Sequence, residues 1–179
     1  RAAVRFGRRR ASTVFSLKGR SEHMSDKKLK LGIIGIGNMG SSHIRNYLKG
    51  SLPEIELTAV ADINPERLAW ASEQLEGVKT FDSSDALIES GEVEAVLIAT
   101  PHYYHPPIAI KAMEAGLDVM SEKPAGVYTK QVREMNEAAA KTDKVFGLMF
   151  NQRTNPLYKK VKEMIENGYV YIATPPLYL

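Results

Sequence analysis

The sequence predicts an α/β protein, a doubly wound parallel sheet with helices on both faces. Three observations carry this expectation. From Lys28 onward, short apolar runs alternate with segments of helical period, the exchange that a parallel sheet covered by helices requires. The most apolar of these runs, Ala95 to Ala99, reads as a strand buried on both sides and therefore central. A glycine-rich turn, Gly35 to Gly40, joins the first apolar run to the first helical one.

Composition bounds the alternatives. The chain has 179 residues, 44% hydrophobic and 25% charged, which is the make-up of one ordinary folded domain rather than a disordered tail or a fibre. No run approaches the ~20 apolar residues of a membrane-spanning helix, so no membrane partner is expected. The chain has no cysteine, so a disulfide framework and a thiolate metal site are excluded. A reducing compartment is compatible with this, and a cytoplasmic location is the expectation.

The net charge of +3 is unevenly spread. Residues 1–23 hold seven basic side chains (Arg1, Arg5, Arg8, Arg9, Arg10, Lys18 and Arg20) against the single acid Glu22, which leaves 17 basic and 20 acidic residues in the remainder. The body is mildly acidic, so no nucleic-acid surface is expected on it. The basic head lacks a sustained apolar period and gives way at Met24 to Met-Ser-Asp-Lys-Lys, so it is read as a leader outside the fold. Upstream sequence translated by accident, an organelle transit peptide and a basic nucleic-acid arm all suit its composition. The first is preferred because position 1 is Arg rather than Met.

The elements follow in order. Strand one is Leu29 to Gly35, and a helix from Met39 to Lys49 places Ile44 and Leu48 on one face. Strand two is Ile55 to Ala61; its helix begins after the cap residue Asn64, with Pro65 at the first helical position, and turns Leu68, Ala71 and Leu75 inward. A short strand, Val78 to Phe81, precedes a short helix after Ser83 or Ser84. Strand four, Ala95 to Ala99, leads to a helix starting near Pro106 with Ile108, Ala112 and Ala115 inward, stopped by Gly116. Strand five is Leu117 to Met120, and a helix from Lys130 to Lys141 buries Val132, Met135 and Ala139. Strand six is Val145 to Met149, and a last helix, Pro156 to Asn167, carries Leu157, Val161, Met164 and Ile165 on one stripe before Gly168. Trp70 and the methionines sit at helical spacing and read as core.

Gly35-Ile36-Gly37-Asn38-Met39-Gly40 has the spacing Gly-x-Gly-x-x-Gly, directly behind a strand and before a helix. In that context Gly35 permits a tight turn, Gly37 lets the backbone approach a pyrophosphate and Gly40 lets helix and sheet pack closely. Free amides and the dipole at the helix N-terminus then favour phosphate. Asp62 lies 22 residues beyond Gly40 at the end of strand two, where a carboxylate accepts from both ribose hydroxyls and repels a 2′-phosphate. Ile63-Asn64-Pro65 follows without a basic residue, so NAD is expected in preference to NADP. The plain alternative makes the glycines an ordinary strand-helix turn and Asp62 a cap.

With these residues, Ala99-Thr100-Pro101-His102-Tyr103-Tyr104-His105 after strand four, Glu122-Lys123-Pro124 after strand five and Asn151-Gln152-Arg153 after strand six complete a set in which the chain resembles the N-terminal half of the Gfo/Idh/MocA oxidoreductases. All fall at the carboxyl ends of predicted parallel strands, the edge where such sheets bind ligands. The resemblance implies a Rossmann dinucleotide-binding domain over 24–150, with Gly35, Ile36, Gly37, Asn38, Met39, Gly40, Asp62, Thr100, His105 and Glu122 around the cofactor. It implies Lys123 as the catalytic residue, binding the hydroxyl that is oxidised. For His102 and His105 an exposed loop pair is the plain alternative, and no metal site is expected from them. A solvated turn is the plain alternative for Glu122-Lys123-Pro124. Asn151 and Arg153 read as substrate or phosphate contacts, or equally as a polar linker.

The resemblance further implies hydride transfer between NAD and a hydroxyl carbon of a sugar, cyclitol or related polyol, with full-length relatives forming homo-oligomers. A non-catalytic NAD-binding regulatory module is the alternative. Family members carry a second, α+β domain that covers the cofactor and supplies an Asp-x-x-x-His pair; here that domain is missing, and residues 151–179 read as a linker helix and a truncated start of it. The closing Tyr169-Val170-Tyr171-Ile172, with Pro175-Pro176 after it, departs from the family pattern and suggests a truncated or frame-shifted reading. The isolated chain is therefore expected to bind NAD but to turn over poorly.

Overall fold

The computed structural model describes residues 27–168; the basic leader and the closing segment 169–179 lie outside the described residues. Within them the chain alternates strand and helix as the apolar pattern requires: β1 (Leu29–Ile34), α1 (Asn38–Leu48), β2 (Ile55–Ala61), α2 (Pro65–Gln74), β3 (Lys79–Phe81), α3 (Ser84–Glu89), β4 (Ala95–Ile98), α4 (His105–Glu114), β5 (Asp118–Glu122), α5 (Thr129–Ala140), β6 (Phe146–Met149) and α6 (Pro156–Glu166). The strands form one sheet in the order β3-β2-β1-β4-β5-β6, and every pairing is parallel. The order reverses between β1 and β4, the switch point at which open α/β sheets take their ligands.

Two cores cover the two faces. On one side Ile33, Leu57, Val60 and Leu97 meet Ile44 of α1 and Ala71 and Leu75 beside α2. On the other, Ile34, Ala59, Val96, Ile98 and Val119 meet Leu87 of α3, Ala109 and Met113 of α4 and Met135 of α5. All four β4 residues are buried, so the continuous apolar run does mark the centre. Local capping also follows the sequence: the Asn64 side chain accepts from Glu66 N–H ahead of Pro65, and the Ser83 hydroxyl accepts from Ala86 N–H at the start of α3.

Several expectations are corrected. β1 stops at Ile34 because Gly35 turns to φ +92°. Leu48 is exposed, while Ile44 holds the inner face of α1 with Gly40 buried and Tyr47 packed beside it. On α4, Ile108 and Ala112 face the core as expected and Ala109 and Met113 join them, while Ala115 faces water because the helix ends at Glu114. β5 runs to Glu122 instead of ending at Met120, because Ser121 and Glu122 still pair with Leu148 and Met149 of β6. A short 3₁₀ turn, His102–Tyr104, leads into α4. Among the described residues the apolar stripe expected on α6 meets no core: Leu157 is 68% exposed and α6 has no buried residue.

Candidate functional site

The site is assembled at the carboxyl ends of β1, β2, β4 and β5. After β1 the chain turns at Gly35, whose N–H donates to Ala61 O at 2.7 Å. A side chain there would press within 2.9 Å of the Ala99 carbonyl and Thr100 N, so glycine lets the turn lie against the β4 loop. Gly40, in the first turn of α1, faces the Gly35 carbonyl oxygen so closely that a Cβ would stand 1.8 Å from it. Between them, Gly37 has open space apart from the tip of Arg67 at 3.8 Å. No side chain caps α1 and no acid occupies its first turn, so its first amides are left to a ligand.

The β2 end supplies Asp62. Its residue is 7% exposed, and Oδ2 accepts from Ile36 N–H at 2.6 Å while Oδ1 accepts from Asn64 N–H at 2.9 Å. Arg67, in the first turn of α2, reaches Oδ2 at 3.5 Å. The distal carboxylate therefore grips the glycine turn directly and keeps acceptor capacity for one further partner. At the β4 end, Thr100 Oγ1 is buried without a hydrogen-bond partner among the described residues. A buried hydroxyl with nothing to bond is costly, and its position beside the turn suits a polar ligand group.

Residues 29–150 match the model of an oxidoreductase family described as having an NAD-binding Rossmann fold, Gfo/Idh/MocA. This chain belongs to that family. Among curated relatives it is similar to inositol 2-dehydrogenase of Corynebacterium glutamicum (strain R), at 31% identity over 79% of this chain and 42% of the relative. It is also similar to the rhizopine catabolism protein MocA of Rhizobium meliloti, at 34% identity over 79% and 43%. Among solved structures it resembles scyllo-inositol dehydrogenase of Lactobacillus casei, described with bound cofactor NAD(H) and scyllo-inositol, with TM-score 0.75, 29% identity and coverage of 80% and 42%. The chain thus spans less than half the length of the relatives it matches.

The Gfo/Idh/MocA chain presents its remaining site residues less simply than its sequence suggests. Asn38 and Met39 are exposed at the start of α1, and Ile36 is buried under the turn. Glu122 is 5% exposed, and both its oxygens are engaged: Oε1 accepts from His43 Nε2 at 2.8 Å, and Oε2 accepts from Lys123 N–H at 3.2 Å. His105 is wholly buried. Its Nδ1 lies 2.8 Å from Pro124 O and its Nε2 lies 2.8 Å from Thr100 O. The ring stands between two carbonyl oxygens, and as a neutral imidazole it donates its single N–H to one of them. Lys123 stands exposed, on a cis Lys123-Pro124 bond. Asn151–Arg153 form an exposed 3₁₀ turn, with the Arg153 guanidinium 5.1 Å over the Phe150 ring.

Two residues at this rim escaped the sequence reading. His43 lies one helical turn beyond Gly40, and Arg67 lies in the first turn after the Asn64 cap. Helical spacing from Gly40 and from Asp62 was the available signal for both.

Proposed function

We propose that this chain is the nicotinamide-binding half of a dehydrogenase that moves hydride between NAD and a hydroxyl carbon of a sugar, cyclitol or related polyol. One convergence supports the reading above all: a turn with glycine at 35, 37 and 40, a buried carboxylate 2.6 Å from that turn's Ile36 amide, and a buried Thr100 hydroxyl with no partner among the described residues share one rim. In the same reading residues 24–150 form the dinucleotide-binding domain, and 151–179 lead into the part that holds the substrate.

The nicotinamide supplies the hydride-accepting carbon. The first amides of α1, at Asn38 and Met39, bind the pyrophosphate with help from the helix dipole. Asp62 takes a ribose hydroxyl on its free acceptor capacity and sets a negative charge against any 2′-phosphate. Thr100 Oγ1 bonds a polar group of the nicotinamide half. The Lys123 ammonium binds the reacting hydroxyl and stabilises the negative charge that develops on its oxygen. The relatives named as inositol dehydrogenases support the substrate class.

Calorimetric titration of the chain tests this directly. NAD is expected to bind more tightly than NADP, and the absence of heat with either would overturn the reading. A non-catalytic NAD-binding regulatory module is the second reading, favoured by the exposure of Lys123 among the described residues, where nothing excludes water from it. Lys123→Ala in a full-length homologue separates the two, since only in the enzyme does the rate fall while NAD affinity is retained.

A further inference from the structure

We propose that two histidines, His43 and His105, brace Lys123 from opposite sides and so set the position of its main chain, the base from which its side chain reaches. The inference rests on the reading of Lys123 as the reacting centre. The lysine is itself exposed, and among the described residues its side chain makes no hydrogen bond or ion pair. Nothing at its tip fixes it, so whatever fixes it acts through its main chain.

The main chain is held at both flanks. On the amino side, Lys123 N–H donates to Glu122 Oε2 at 3.2 Å, and the other oxygen of that carboxylate is held by His43 Nε2 at 2.8 Å. Glu122 is an acceptor at both oxygens, and a carboxylate that is buried and bonded at both ends has one orientation. His43 projects from α1, the helix whose N-terminus faces the cofactor phosphates. On the carboxyl side, Pro124 O lies 2.8 Å from His105 Nδ1, and the same ring reaches Thr100 O at 2.8 Å through Nε2. His105 begins α4 on the other face of the sheet.

The consequence is geometric. Two helices from opposite faces meet the two residues that flank Lys123: α1 through the His43–Glu122 bond, and α4 through the His105 ring, which stands between Pro124 O and Thr100 O and donates its N–H to one of them. Movement of the glycine turn is passed to Lys123 through two side chains and no flexible linker. A positioned reacting group needs such support, because a displacement of about 1 Å is enough to spoil the alignment.

The test uses the full chain with 15N labelling and three His43 forms. Wild type is expected to show slow hydrogen exchange at the Lys123 main-chain amide. His43→Leu should speed that exchange roughly tenfold, the factor for losing a hydrogen bond to a charged group, while Val119 and Met120 in the middle of β5 keep their protection. His43→Gln, whose side-chain amide can still donate to Glu122, should restore most of the loss. Addition of NADH should also slow acetylation of the Lys123 amine in wild type and in His43→Gln, and do so much less in His43→Leu.

Because His105 is enclosed, it is probed without substitution: a slowly exchanging ring N–H proton is expected in its spectrum. Unchanged Lys123 exchange in His43→Leu, or loosening that spreads through β5, overturns the brace, as does a His105 ring proton that exchanges freely. Failure of wild type to bind NADH overturns the dehydrogenase reading, whereas the amide exchange data judge the brace by themselves.

Discussion

A methyl group on Gly40 would stand 1.8 Å from the Gly35 carbonyl oxygen, a contact no rotamer change can relieve because both partners are backbone. Gly40→Ala is therefore expected to destabilise the chain by about 3 kcal/mol, read as a lowered urea midpoint, and to open the turn. Asp62 offers a test of specificity. Replacing it by Ser removes the charge that opposes a 2′-phosphate and frees Arg67, 3.5 Å away, for one. Asp62→Ser is expected to weaken NAD about tenfold and to strengthen NADP, as measured by titration; a variant that still prefers NAD would assign the selectivity elsewhere. The glycines and Asp62 were legible in the sequence because their roles are local, a turn and the end of a strand. His43 was not, because its partner Glu122 is 79 residues away and only the folded sheet brings them together. His105 was legible as a residue of the β4 loop, but its complete burial was not, since nothing in its neighbours announces that α4 draws its ring into the core.

Between elements, three ion pairs, two of them on Lys111, join the framework at its edges and give it a defined pH response. The Lys111 ammonium of α4 lies 2.8 Å from Glu89 and 3.0 Å from Asp85 of α3, and these hydrogen bonds, Glu89 first, hold its pKa above the usual lysine value. A raised pKa gives stability that is present at neutral pH and is lost as pH rises through the folded value. Glu94, just ahead of β4, is held below the usual carboxylate range by the Lys27 ammonium and then by Lys30 N–H. Its contribution is present above that range and is lost as pH falls through the lowered value. Thermal midpoints recorded across pH should therefore show Lys111→Met flattening the alkaline limb and Glu94→Gln flattening the acid limb; both effects are small because the groups are exposed. Element existence and order were legible from periodicity alone. Ends were less so: β5 outran its apolar run by two residues because hydrogen bonding to β6 extends a strand regardless of side-chain polarity.

Across the molecule, the faces of the sheet are unevenly clothed. α4 and α5 cover β4 and β5 on one side, while on the other an apolar cavity of about 490 Å³ opens beside α1, lined by residues such as Leu31, Leu97, Met120, Val145 and Met149. An open apolar surface of this kind binds hydrophobic dyes. The chain is expected to enhance anilinonaphthalene sulfonate fluorescence, and Met120→Glu to reduce the signal without lowering NAD affinity. With Lys123 open to water, the 179-residue chain should show no steady-state turnover on polyols even where it binds NAD; a measurable rate would refute that. The sequence by itself determined the alternation of strand and helix, the glycine turn and the acid that meets it, since each depends on residues near one another in the chain. Only the tertiary structure decided that β1 and β4 lie side by side and that two histidines close on the Glu122-Lys123-Pro124 turn, because these are contacts between distant segments whose geometry is set by the packing of the whole sheet.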